Sequence, residues 1–417
     1  MCDIYDFMAR SKPDVEADIR AADRGESTAL MEPLLLRETV KTKAGFPDLS
    51  FELAKRSSGF RRSLPASLFA SLATLVRTMN CYYSNLIEGH ATHPVDIDRA
   101  LRGDYSDDPE KRNLQLEAKA HVAVQQWIDG GALKGGATGV ESIQEVHRRF
   151  CSELPDSLLR VDNPDTKETV KVVPGQLRTR DVRVGRHIAI SPGAVPRFLH
   201  RYHEVYGYLG SIDTVMAAAA AHHRLLWIHP FLDGNGRVAR LLSHAALLET
   251  LDTGAVWSVA RGLARNVEAY KGHLAACDQT RRNDLDGRGH LSEENLVSFT
   301  EFFLKTCLDQ VSFMEDLIQP DRLRARVRLW AEEEIRLGQL PTKADAILDA
   351  VLYRGELPRA DLPGLARTGD RQARRIVSVL LDHGVLQSES SRAPLRLALP
   401  VTLAARWMPG LFPDQTA

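Results

Sequence analysis

The sequence predicts a mainly helical protein with one small β-hairpin, followed by a separate C-terminal domain of helices and two strands. Three observations predict it. Apolar residues recur at helical spacing along most of the chain, and strict alternation is confined to one stretch around Gly185. After Ala344 the pattern changes to short helices ending in two strand-like runs.

The first 60 residues are polar and mixed, with a weakly helical run from Pro13 to Asp23 and short elements between Pro33 and Leu53 that the pattern does not place. Leu68, Leu72, Leu75, Val76 and Met79 mark a helix that starts near Pro65, runs through Ser84 and Glu88, and stops at Gly89, a common C-terminal cap. Ser84 and Glu88 are four apart and share a helix face, the ordinary arrangement of an exposed pair. Arg112 to Gly131 is helical again, and the glycine pairs at 130 and 135 mark a linker before a helix from Val140 to Leu154. Val182, Arg183 and Val184 alternate with His187 to Ile190 across Gly185, which predicts a hairpin between Arg178 and Ile190.

Asp213 to Ile228 is dense in alanine and suits a buried helix, and Val238, Leu242, Leu247 and Leu248 continue another. Leu291 to Leu317 is a long amphipathic helix, and Pro320 to Glu334 a charged one. The C-terminal order is helix (Ala344 to Leu352), short helix (Arg359 to Ala366), helix (Asp370 to Leu381) and the strands near Val385 and Leu395. It resembles a winged helix-turn-helix, with Arg371, Arg374 and Arg375 where a DNA reader carries its contacts. From Pro320 to the end there are 15 basic and 12 acidic residues, an excess small enough that dimerisation or target docking competes with DNA binding. The expected domains are residues 1–130, with the Ser84–Glu88 helix at about 66–89, then 138–318 and 335–417.

Composition narrows the class. Hydrophobic residues at 44% and charged residues at 26% suit a globular protein, and a net charge of −1 gives no global field for nucleic acid. Five scattered cysteines without CxxC spacing argue for a reducing compartment. The N-terminus has no apolar leader, and the longest apolar stretch, Val215 to Ala221, is too short to span a bilayer. The expectation is a cytoplasmic protein with no membrane partner.

The chemistry is concentrated in the loop between the two central helices, His229-Pro-Phe-Leu-Asp-Gly-Asn-Gly-Arg-Val-Ala-Arg240. Gly234, Asn235 and Gly236 can take positive φ and turn successive N–H groups into one concavity, which the following helix N-terminus reinforces as an anion site. Arg237 and Arg240 share a face of that helix and can fork onto phosphate oxygens. Asp233 is a hard oxygen ligand placed for Mg²⁺, and His229 is the candidate general base. A capping turn with two solvated arginines is the bland alternative, but it does not require so many positions to coincide. His222 and His223 are adjacent and point to different faces, so with His244 they read as packing histidines and not metal ligands.

This run resembles the signature of the Fic family, His-x-Phe-x-Asp-Gly-Asn-Gly-Arg-x-x-Arg, with every defined position filled. Ser84-x-x-x-Glu88-Gly89 resembles the inhibitory motif of members that carry their own brake. The resemblance implies a helical Fic domain in which Glu88 pairs with Arg240 and occupies the space of an ATP γ-phosphate. It also implies that Val182, Arg183 and Val184 form a flap that docks a target strand, and that Asn266 and Tyr270 lie near the nucleotide base. Ser191-Pro192-Gly193 stands where members often have Pro-Pro, a departure at the flap's exit.

The implied activity is protein adenylyl transfer: AMP from ATP, with Mg²⁺, to a Tyr, Thr or Ser hydroxyl of a protein target or of the chain itself. Many members dimerise, so a homodimer is expected. Rival readings are removal of AMP, γ-phosphate transfer, and a DNA-binding regulator that senses nucleotide without turnover. Members that transfer γ-phosphate usually depart from Gly-Asn-Gly, and this chain does not.

Overall fold

The computed structural model describes residues 5–6, 23–162 and 167–413, so most of the helical run predicted from Pro13 lies outside the described residues. Strand β1 (Tyr5–Asp6) precedes α1 (Glu38–Lys43), α2 (Phe46–Ser63) and α3 (Ala66–Ile87). Helices α4 (Pro94–Leu101), α5 (Pro109–Asp129) and α6 (Val140–Ser152) lead to two antiparallel hairpins. These are β2 (Arg160–Asp162) with β3 (Thr169–Lys171), and β4 (Arg183–Val184) with β5 (His187–Ile188). Then come α7 (Val195–Tyr206), α8 (Ser211–Ile228), α9 (Asn235–Leu251), α10 (Val259–Arg265), α11 (Val267–Cys277) and α12 (Glu293–Ile318). The C-terminal part holds α13 (Pro320–Arg336), α14 (Ala344–Arg354), β6 (Glu356–Leu357), α15 (Leu362–Ala366), α16 (Asp370–Asp382), β7 (Leu386–Gln387), β8 (Leu395–Leu397) and α17 (Ala404–Trp407). The described residues are mostly helical with three small sheets. No helix among the described residues is long and apolar enough to cross a membrane.

Two compact units form. One comprises Met1–Ser57, Asn80–Thr253 and Ser258–Gln310; the other comprises Ser58–Met79, Gly254–Trp257 and Val311–Ala417. The division falls within α2, α3 and α12.

In the first unit α8 packs along α9, α7 lies on α8, and α6 and α5 pack against α9. Alanines 217 to 220 are all buried, and their small side chains allow the neighbouring helices to approach α8 closely. Helix α2 escaped the sequence pattern for a physical reason. Its buried positions Phe46, Ser50, Leu53, Ser57 and Phe60 have helical spacing, but two are serines that break the apolar stripe.

In the second unit β6, β8 and β7 form an antiparallel sheet in that order beside α14, α15 and α16. Helix α16 buries Ala373, Ile376, Val377 and Leu380, spaced i, i+3, i+4 and i+7, and leaves Arg371, Arg374 and Arg375 exposed. Strand β6 was missed in the sequence because it is only two residues long.

Candidate active site

Pro230 makes the α conformation unfavourable for the residue before it, so α8 ends at Ile228 and His229 becomes its left-handed cap (φ 51°, ψ 65°). The loop then closes on itself. Asn235 Oδ1 accepts from Phe231 N at 3.0 Å, and Asn235 Nδ2 donates to Phe231 O at 2.9 Å. The Phe231 ring stacks on His147 of α6 at 3.8 Å, which fixes the loop from below. The His147 Nδ1 accepts from Gly175 N at 2.9 Å.

The three-residue nest of positive φ is not what forms. Only Gly234 is left-handed (φ 80°); Asn235 and Gly236 already belong to the first turn of α9. What forms is a helix N-terminus after a single glycine turn, with the N–H groups of that turn and the helix dipole available to an anion.

Asp233 caps this turn through Gly234 N, at 2.6 Å to its Oδ1, and its Oδ2 lies 3.8 Å from Arg237 Nη2. Burial pushes its carboxyl above the ordinary value, the condition of a carboxylate short of positive charge. Among the described residues no three His, Cys, Asp or Glu side chains converge as a metal cage. A hard cation at Asp233 would thus take one carboxylate and the oxygens of a bound phosphate, the usual habit of Mg²⁺.

Both motif arginines are buried and held by carboxylates. Arg240 donates Nε to Ser84 Oγ at 2.9 Å and Nη2 to the Ser84 carbonyl at 3.1 Å, and its Nη2 also bonds Glu88 Oε1. Burial works to raise the Glu88 carboxyl, but Arg240 and then Arg237 outweigh it and hold it below its ordinary value. Gly236 is where a side chain would collide with the Glu88 carboxylate, so this glycine leaves the space that Glu88 fills. Arg237 forms an ion pair with Glu117 of α5 and lies over the Phe150 ring at 4.9 Å. His90 Nδ1, just past the end of α3, lies 2.8 Å from Glu117 Oε2.

His229 is 4% exposed. Burial first, then the charges of Arg178 and His187, lower its imidazole to about 3, so it is neutral at physiological pH. Val182 is buried, while Arg183 and Val184 lie on β4, which turns at Gly185 into β5. The backbone of β1 pairs with β4, Tyr5 opposite Val184 and Asp6 opposite Arg183. The flap is anchored by His187, whose Nε2 is 2.7 Å from the Trp227 carbonyl.

Asn266 and Tyr270 do not share a surface. Asn266 is exposed and donates to Gly262 O at 3.0 Å, whereas Tyr270 is 2% exposed with its hydroxyl 2.7 Å from His222 Nε2. Tyr270 packs among His222 and Phe299 beside Arg240. His222 Nδ1 in turn meets Ser243 Oγ at 2.9 Å, His223 meets Asp278 at 3.0 Å and His244 meets Asp129 at 2.7 Å.

Sequence reasoning missed Glu117, His90, His147 and Arg178. Glu117 had a signal: it continues the stripe of His121, Val124 and Ile128 on α5, and a glutamate on a buried stripe needs a buried cation. Arg178 sits in irregular chain and had none.

Residues 138–247 match the family described as Fic/DOC family. The chain is 40% identical over 169 residues to a protein adenylyltransferase Fic of Drosophila willistoni, covering 40% of this chain and 31% of that protein. It is 33% identical over 116 residues to protein adenylyltransferase fic-1 of Caenorhabditis elegans, covering 27% and 19%. The chain thus spans less than a third of the length of these relatives. A solved Fic family protein from Desulfovibrio desulfuricans aligns at 17% identity with a TM-score of 0.47, covering 84% of this chain and 96% of that one.

Proposed function

We propose that the chain, whose residues 138–247 match the Fic/DOC family, is a protein adenylyltransferase restrained by its own helix α3. The observation that carries this reading is the convergence of one neutral buried imidazole and two buried guanidinium groups on the N-terminus of α9. In the reaction a Tyr, Thr or Ser hydroxyl attacks the α-phosphorus of ATP. The new oxygen–phosphorus bond forms as the bond to the β-phosphate bridging oxygen breaks, the hydroxyl proton passes to His229, and pyrophosphate leaves. The N–H groups after Gly234 hold the phosphates, and Arg237 and Arg240 hold those that depart. Mg²⁺, held by Asp233 and phosphate, would neutralise charge on the departing group. Catalysis is then positioning and electrostatics.

Glu88 and Ser84 supply the restraint, since they engage the guanidinium that the outer phosphate requires. The flap edge at Arg183 and Val184 is read as the docking site for a target strand. A cytoplasmic location follows from the need for ATP and is consistent with the free, buried Cys81, Cys151, Cys277 and Cys307. Residues 335–417 are read as a winged helix-turn-helix that contacts duplex DNA, on the observation that α16 exposes Arg371, Arg374 and Arg375.

The discriminating experiment supplies the Glu88→Gly variant with ATP labelled at the α- or the γ-phosphate. Protein labelled only from the α-position is the expected result. Label only from the γ-position would replace the reading with phosphate transfer. For the second unit, salt-dependent retardation of duplex DNA by the full chain, lost on substituting the three arginines, is expected.

A further inference from the structure

Arg178 is 2% exposed, and its guanidinium bonds backbone carbonyls. Its Nε donates to His229 O at 2.7 Å, its Nη1 to Arg180 O at 2.9 Å, and its Nη2 to Ile190 O at 2.6 Å and Ile228 O at 3.4 Å. Its backbone N–H donates to Pro230 O at 2.9 Å. One side chain therefore ties the entry and exit of the flap to the end of α8 and to the His229 peptide.

Burying an arginine on neutral dipoles is costly, and the cost needs a reason. His229 supplies one. A bulky residue in the left-handed region is strained and persists only where its surroundings over-determine it. Arg178 holds the carbonyls on both sides of the His229–Pro230 bond, His229 O through its side chain and Pro230 O through its backbone N–H.

We propose that Arg178 is a positioning residue for His229, the buried cation that fixes the left-handed peptide and locks the flap's two ends to it. The assignment rests on His229 being the base of adenylyl transfer. It has an electrostatic consequence. Burial lowers the Arg178 guanidinium to about 10, still protonated at neutral pH, and its charge stands first among those holding the His229 imidazole unprotonated. The other groups facing His229 are His187 from β5, which acts in the same sense, and Glu88 from the end of α3, which opposes it. Asp233 follows in the same loop and Arg237 in the first turn of α9.

The test uses the full chain with Glu88→Gly, into which Arg178→Gln or Arg178→Lys is placed. Two readouts are taken: the imidazole titration of His229 by histidine-labelled NMR, assigned with His229→Ala, and the pH profile of kcat and KM for ATP. Arg178→Gln removes the charge. It should move the His229 titration and the acidic limb of kcat upward, toward the ordinary value of about 6.5. It should also lower kcat by about 100-fold while KM changes little, as expected when a reacting group is misplaced.

Arg178→Lys keeps the charge but cannot reach all the carbonyls, so kcat should fall about tenfold with the titration unmoved. If the glutamine variant does not fold, the lysine variant decides, and an unchanged kcat there overturns the proposal. An unmoved titration in Arg178→Gln, or a loss carried by KM, overturns it as well. Failure of the underlying reading looks different: His229→Ala would retain transfer, whatever the imidazole titration does.

Discussion

Arg240 Nη2 donates to Glu88 Oε1, joining the N-terminal turns of α9 to the last turn of α3 across 152 residues of chain. Ser84, one turn earlier on α3, takes the Nε and a further Nη2 bond of the same guanidinium. The Nε and Nη2 edge of this guanidinium is thus engaged by Ser84 and Glu88. Gly236 sits beside the pair and leaves room for the carboxylate. A triphosphate needing Arg240 must compete with a preformed, buried partner.

Ser84→Ala should loosen this hold without removing the ion pair. One hydrogen bond of about 1 kcal/mol is lost, so transfer should rise by a few-fold, roughly fivefold, with KM for ATP falling. Steady-state rates against wild type check this, and an unchanged rate means that Ser84 is only a helix partner.

Glu117 should matter to stability more than any other carboxylate of the site. It is 1% exposed and pairs with the buried Arg237. Glu117→Ala takes from a buried cation its nearest carboxylate and should cost on the order of 3–5 kcal/mol. Glu117→Gln keeps the shape and one acceptor and should cost less. Urea denaturation of the two variants gives the ordering; equal, small losses contradict it.

Stability should fall with acid earlier than carboxylates alone would cause. Burial lowers His121, His222 and His229 to about 3 and His147 and His223 to about 4. In the unfolded chain these groups titrate near 6.5. Between those values the unfolded state binds more protons, so the contribution is complete above about pH 6.5 and is lost as pH falls toward 3 to 4. The urea midpoint should hold from pH 8 to 7 and decline from about 6.5, well above the carboxylate range. A midpoint flat down to pH 5 contradicts this.

Most of the helices were legible because α3, α5, α6, α8, α12 and α16 keep an apolar stripe at helical spacing. Helix α2 was hidden by serines at Ser50 and Ser57, and β6 by its length. The loop from His229 to Arg240 could be found because its chemistry is contiguous in sequence. The network around it was not. Glu117, His90 and Arg178 reach the site from three separate segments, and only the tertiary fold brings them there. The reading of Gly234–Gly236 as a nest failed because helix propagation claimed Asn235 and Gly236. Tyr270 lies where the helix spacing puts it, but Phe299 and His222 bury it.

The claim at the centre of this account is that Glu88 withholds Arg240 from a phosphate. The rate of α-label transfer from ATP to protein, measured for wild type and Glu88→Gly at equal concentration, tests it most directly. The account predicts that Glu88→Gly is faster by on the order of 100-fold, as expected for removing a restraint of about 3 kcal/mol, and that adding His229→Ala abolishes the gain. Equal or slower transfer by Glu88→Gly, with the protein folded and ATP bound, would contradict it.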